Sequence, residues 1–152
     1  SIQMLRHFYE DHNTPGSVTY ETNGTQKLRE DFIEFWKHEA QNELFMSLSP
    51  KLWSVAGEKR EKAIKPELVS SYRELTDRGH LKFVCGSDNE HWDEMEEVLE
   101  LFRAEGVDYP VYIMPVGARE EEQTDTAGIA FKRGYHVSAR VHVYLFGNAI
   151  GT

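Results

Sequence analysis

Ser17-Val18-Thr19-Tyr20-Glu21-Thr22, running straight into Asn23-Gly24-Thr25, reads as a short strand that ends on a polar turn. The same arrangement returns twice. Leu44 to Leu48 gives way to Ser49-Pro50-Lys51-Leu52, and Tyr112-Ile113-Met114 gives way to Pro115-Val116-Gly117. A parallel α/β protein places its chemistry at the carboxyl ends of its strands. Three strand ends with polar or Pro/Gly-interrupted tips therefore predict a barrel mouth.

The segments between these strands carry helical periodicity. Ile2, Leu5, Phe8 and Tyr9 predict a helix over Ile2 to Asp11, broken by Asn13-Thr14-Pro15-Gly16. Leu28, Phe32, Phe35 and Trp36 mark one face of the next helix, and Pro66 suits the first turn of another. Trp53 to Lys65 reads as a long irregular loop leaving a strand's carboxyl end, a place where function is expected. Leu81 to Cys85 is the third strand. In the helix from Asp88 to Glu105, Trp92, Met95, Leu99 and Phe102 face inward while Asp93, Glu96, Glu97 and Glu100 face water. Gly106 ends it. Val111 to Met114 is the fourth strand, Glu120 to Arg133 the last helix with Gly134 as its stop, and Val141 to Phe146 the fifth strand. Alternation of helix and strand implies right-handed crossovers and a parallel sheet, either open or curved into part of a barrel.

With 152 residues, 39% hydrophobic and 28% charged, the chain fits one soluble domain with a proper core. Its net charge of −9 argues against nucleic acid or an anionic membrane as the main partner, with Lys59-Arg60-Glu61-Lys62 as a local exception. No apolar run approaches the roughly 20 residues that span a bilayer, and the chain reads as cytoplasmic. The single cysteine, Cys85, forbids an internal disulfide and cannot by itself hold zinc or an iron–sulfur cluster. There is no Gly-rich phosphate loop, no Gly-x-Ser-x-Gly elbow and no His-Glu-x-x-His pair. A self-contained hydrolase or nucleoside-triphosphate enzyme is not expected.

Each tip supports a structural and a functional reading. Glu21 and Asn23 offer an acceptor and an amide suited to ribose hydroxyls or an amino group, and the same residues make an ordinary Asn-Gly turn and cap. Pro50 stiffens a strand end while Lys51 presents a cation to a carboxylate or hydroxyl, or the two simply end a strand and meet solvent. Met114-Pro115-Val116-Gly117 is an interrupted strand end whose backbone could also stack on a flat base such as adenine. Lys82 alternates with Leu81 and Phe83, so it is buried and needs a partner if the strand is covered on both faces. His142 alternates with Val141 and Val143 and reads as a core histidine rather than a base. His80 and His91 have no metal-ligand spacing.

Taken in order, Glu21-Thr22-Asn23-Gly24-Thr25, Ser49-Pro50-Lys51-Leu52, Leu81-Lys82-Phe83-Val84, Met114-Pro115-Val116-Gly117 with Glu121-Glu122-Gln123, and Ser138 through Asn148 resemble 7-carboxy-7-deazaguanine synthase, a radical S-adenosylmethionine enzyme of deazapurine (queuosine precursor) biosynthesis. The resemblance runs over nearly the whole chain. It implies a partial, open (β/α) barrel with a mostly parallel sheet, acting as a homodimer. It also implies S-adenosyl-L-methionine, a [4Fe–4S] cluster on three cysteines, Mg²⁺, and an electron donor such as flavodoxin or ferredoxin. The implied reaction converts 6-carboxy-5,6,7,8-tetrahydropterin to 7-carboxy-7-deazaguanine with loss of ammonia, the cofactor carrying the radical chemistry.

By position, the resemblance assigns cofactor contacts to Glu21, Asn23, Ser49, Pro50, Lys51 and the segment Ile113, Met114, Pro115, Val116 and Gly117, and substrate contacts to His142 and Thr152. The Cys-x-x-x-Cys-x-x-Cys motif, a Gly-Gly-Glu-Pro strand and the Mg²⁺ ligand of that family are expected before Ser1. The 152 residues are accordingly expected to be the carboxyl-terminal portion of a longer enzyme and inactive alone. Two other functions compete: a cluster-less half-barrel serving as a binding module, and a radical S-adenosylmethionine activase acting on a protein glycine.

Overall fold

Alternation of apolar and polar residues in the strands is resolved by a sheet that packs helices on one face. The computed structural model describes residues 2–11, 15–117 and 119–141. Strands β1 (Ser17–Thr22), β2 (Glu43–Leu48), β3 (Gly79–Cys85), β4 (Val111–Pro115) and β5 (His136–Val137) form one sheet in the order β1-β2-β3-β4-β5, each neighbouring pair parallel. Between them run α1 (Ile2–Glu10), α2 (Glu30–Glu34, prolonged by a π-helical turn Phe35–Glu39), α3 (Trp53–Ala56), α4 (Arg60–Ala63), α5 (Pro66–Tyr72), α6 (Asn89–Ala104) and α7 (Glu120–Lys132). The fold is α/β, with an open sheet consistent with a partial (β/α) barrel.

Strand order equals chain order, so every crossover steps the same way. With right-handed crossovers this places the helices on one side of the sheet, unlike a doubly wound sheet whose order reverses. The burial pattern agrees. Leu44, Met46, Leu48, Leu81, Phe83, Cys85, Val111 and Ile113 join one core with Val69 and Tyr72 of α5 and Trp92, Met95, Val98 and Phe102 of α6. The alternate residues His80, Lys82, Val84, Tyr112 and Met114 are only half-buried. Lys82 is therefore not enclosed between two helix layers. Its strand is covered on one face among the described residues.

Helix ends explain two boundaries. After α6 the Val107 N–H donates to the Phe102 carbonyl (2.9 Å) and Gly106 N–H to Arg103 (3.0 Å), with Gly106 at φ 77°. After α7 Tyr135 N–H donates to Ala130 (2.9 Å) and Gly134 N–H to Phe131 (3.1 Å), with Gly134 at φ 80°. Both are Schellman turns, and glycine supplies the left-handed residue each requires. The second returns the chain to the sheet at once, so the fifth strand is His136–Val137. The strand expected over Val141 to Phe146 falls from residue 142 onward outside the described residues.

Two further expectations are corrected. The stretch from Trp53 to Lys65 is not an irregular loop, because it contains α3 and α4. Glu94 of α6 accepts hydrogen bonds from the Trp53 and Ser54 N–H groups (2.7 and 2.8 Å), satisfying the first amides of α3 from across the fold. The acidic side of α6 also does more than face water: Glu96 binds Arg133 (2.6 Å) and Glu97 binds Arg60 (2.9 Å).

Trp92 is fully buried, donates its indole N–H to the Gly86 carbonyl (2.9 Å) and lies under the Arg133 guanidinium, 5.1 Å from the ring centroid. Replacing it removes a large buried side chain and leaves a cavity. Trp92→Ala is expected to lower unfolding free energy by about 3–5 kcal/mol, read as a lower urea midpoint.

Candidate functional site

The carboxyl edge of the sheet brings the strand tips into one row. Thr22 at the end of β1 accepts a hydrogen bond from Ser49 N–H (2.8 Å), and Val116 N–H beyond β4 donates to the Cys85 carbonyl at the end of β3 (2.8 Å). The β1 and β2 tips are adjacent. The β4 tip is two strand spacings from β2, about 10 Å.

At the β1 tip, Asn23 Oδ1 accepts from the Thr25 N–H (3.2 Å) and hydroxyl (2.8 Å), and Thr22 Oγ1 accepts from Gly24 N–H (3.1 Å). Gly24 is buried at φ 78°, and a Cβ there would meet Val69 Cγ2 at 2.8 Å. These bonds make a side-chain-supported turn, leaving the Asn23 amide nitrogen and the exposed Glu21 carboxylate for other partners. Ser49 and Lys51 are half-buried and Pro50 is buried. Ser49, one residue beyond the Thr22–Leu48 register pair, stands next to Asn23, and Lys51 follows two residues on.

Parity divides the β4 segment. Ile113 is fully buried in the helix-side core and Pro115 is buried on the same side, so their side chains belong to packing. Met114 is on the open face. Gly117 sits at φ 76°, where a Cβ would meet a Glu122 carboxylate oxygen at 2.6 Å, and the Gly117 carbonyl accepts a hydrogen bond from Arg140. His142 and Thr152 lie outside the described residues.

Below the tips, the open face carries a polar row that the sequence alone did not single out as a site. Glu21 is register partner of Ser47, and Ser47 of His80. Ser47 is only 3% exposed, and its hydroxyl lies 2.9 Å from His80 Nε2. The serine stands between the acid and the imidazole, so the three do not form a nucleophile relay, which needs the acid behind the imidazole. One row higher, Lys82 pairs in register with Tyr112 and Tyr112 with His136. Rings line this face: Phe45 to His80 (5.3 Å between centroids), His80 to Tyr112 (5.0 Å) and Tyr112 stacked on His136 (4.7 Å). The signal was the alternation of His80 and Lys82 with apolar neighbours on β3, set beside Tyr112 on β4.

Two cavities lie elsewhere. One of about 560 Å³ is bounded by α1, β1 and α2, including Met4, Tyr20, Phe32 and Trp36. Another of about 450 Å³ lies among Trp53, Lys59, Arg60, Glu61, Glu90 and Glu94, between the segment that follows β2 and α6.

Titration follows from placement. Burial lowers the proton affinity of His80, the nearby Lys82 ammonium lowers it further, and Glu21 partly opposes both. Burial pushes the Cys85 thiol up to about 12, which together with its place in the helix-side core makes it a poor metal ligand. Among the described residues no three His, Cys, Asp or Glu side chains converge on a metal position. No helix among them is long and apolar enough to cross a membrane. No protein-family model, curated protein or solved structure matches the chain.

Because the folded protein binds the His80 proton less readily than the unfolded chain, stability is fully present above the ordinary histidine value of about 6.5 and declines as pH falls through the lower folded value. His80→Gln is expected to flatten the fall in urea midpoint between pH 7.5 and 5.5 relative to the parent protein. An identical fall in both would remove His80 from the acid response.

Proposed function

We propose that this chain is the S-adenosylmethionine-binding, carboxyl-terminal portion of a radical enzyme that converts 6-carboxy-5,6,7,8-tetrahydropterin to 7-carboxy-7-deazaguanine. One observation carries the reading: the tips ending in Asn23, Ser49-Pro50-Lys51 and Met114 to Gly117 share the carboxyl edge of a single parallel sheet, above a polar open face. That is where an α/β fold binds a cofactor.

The tip residues fit S-adenosylmethionine by donor chemistry. Lys51 offers a cation to the methionine carboxylate, and Ser49 and the Asn23 amide offer hydrogen bonds to carboxylate or ribose oxygens. Glu21 is an acceptor for ribose hydroxyls or the ammonium group. The backbone from Met114 to Gly117 would offer the adenine a flat edge, held from the core side by the buried Ile113 and Pro115. Bound there, S-adenosylmethionine would supply the radical chemistry, and these residues would hold and orient it.

The cluster and Mg²⁺ do not fit the described residues. One thiol, buried against the helices, cannot hold iron, and no three-ligand group is present among those residues for a cation. In this reading their ligands come from outside the 152 residues, and the dimer and the electron donor belong to the same proposal.

The test is turnover. The intact protein, reconstituted with iron and sulfide without oxygen, is expected to form 7-carboxy-7-deazaguanine from the carboxytetrahydropterin, S-adenosylmethionine and a reductant. A cluster-loaded preparation that yields no deazapurine defeats the reading. Lys51→Ala is expected to weaken S-adenosylmethionine binding about tenfold by calorimetry, the loss of one charge-assisted contact, while iron content stays the same. Unchanged affinity removes Lys51 from the site.

A further inference from the structure

Glu94 of α6 commits both of its carboxylate oxygens to the backbone of another element. The Trp53 N–H donates to Oε1 (2.7 Å) and the Ser54 N–H to Oε2 (2.8 Å), from 41 and 40 residues earlier in the chain. The helix α3 has four residues, and its cap residue Leu52 makes no side-chain hydrogen bond, so nothing local satisfies its first amides. Glu94 thus sets where that helix starts. The acid is itself firmly based, because Trp92 and Met95, which flank it on α6, are fully buried. Burial opposes its ionisation, but the hydrogen bonds from Ser54 and Trp53 and the nearby Arg60 guanidinium outweigh that and lower its proton affinity. At neutral pH it is a carboxylate acceptor.

The amides it holds come directly after the β2 tip. Lys51 lies between Pro50, which is buried, and Leu52, which is 2% exposed in the core, and the backbone beyond is tied to Glu94 at Trp53. No ion pair or hydrogen bond among the described residues reaches the Lys51 ammonium. A lysine has a long flexible stem, so what it contributes to a ligand depends on how well its backbone is ordered beforehand. We propose that Glu94 is a positioning residue for Lys51: by pinning Trp53 and Ser54 from α6 it holds the β2 tip so that the ammonium can meet the amino-acid carboxylate of the cofactor, which Glu94 itself does not touch. The inference rests on the cofactor reading given above. Its reach is confined to one tip. The β4 tip is two strands away and is held instead by Arg140 on the Gly117 carbonyl. Loss of Glu94 is therefore felt at the amino-acid end of the ligand and not at its adenine end.

The experiment titrates the intact, cluster-loaded protein with S-adenosylmethionine and with 5′-methylthioadenosine, which keeps the nucleoside and lacks the carboxylate. Glu94→Gln preserves size but turns one acceptor into a donor. It is expected to weaken S-adenosylmethionine about fivefold, the loss of one hydrogen bond, and to leave methylthioadenosine within about twofold. In the Lys51→Ala protein the same change should cost less than about twofold, because a residue acting through Lys51 has nothing left to position. Glu94→Asp should recover part of the affinity. Without ligand, hydrogen exchange should show the Trp53 and Ser54 amides losing protection in Glu94→Gln while those of α6 keep it. Unchanged S-adenosylmethionine affinity, unchanged exchange at Trp53 and Ser54, equal loss of both ligands, or a full loss that persists in Lys51→Ala each overturns the proposal. If Glu94→Gln does not fold, Glu94→Asp decides, because an affinity unaltered by withdrawing the carboxylate also overturns it. The enzyme reading fails separately: Glu94-dependent binding with no deazapurine formed sinks the reaction alone, and loss of affinity in Lys51→Ala with none in Glu94→Gln sinks this inference alone. A parent protein that does not bind S-adenosylmethionine sinks both.

Discussion

Handedness governs this molecule. Once successive parallel strands are laid side by side in chain order, right-handed crossovers carry the helices between them to one side. The two faces of each strand then meet different surroundings, and residue parity decides which side chains build the core and which remain available. Leu81, Phe83 and Cys85 enter the core, while His80, Lys82 and Val84 of the same strand do not. The polar row of Glu21, Ser47 and His80 follows from that division, as does the fact that Ile113 is packing and Met114 is surface.

Much of the architecture was legible in the residues. Ser17–Thr22 stands as a strand with the bounds its turn chemistry gives, Pro66 opens its helix, and Gly106 and Gly134 stop theirs. These signals are local: a turn, a cap or a glycine at positive φ acts within a few residues. Other features depend on distant partners. The helices α3 and α4 carry no strong periodicity, and α3 is secured by Glu94 from α6. The two-residue β5 is too short to leave an alternating pattern.

The candidate site divides the same way. The tips at Asn23, Lys51 and Gly117 could be found from strand endings, whereas the ring row needed strand order. Nothing in the order of residues tells that Tyr112 will lie between His80 and His136; the register does. Local hydrogen bonds also use part of what the sequence offered to a ligand. Asn23 Oδ1 is already bound to Thr25, and the space beside Gly117 is filled by Glu122.

Cys85 carries a practical consequence. Its thiol is sequestered in the core with little tendency to ionise, and it is the one cysteine in the chain. These 152 residues are thus a silent background for site-directed labelling: a cysteine introduced among them at an exposed position would take a maleimide dye or spin label with little competition from Cys85, without first mutating the native residue.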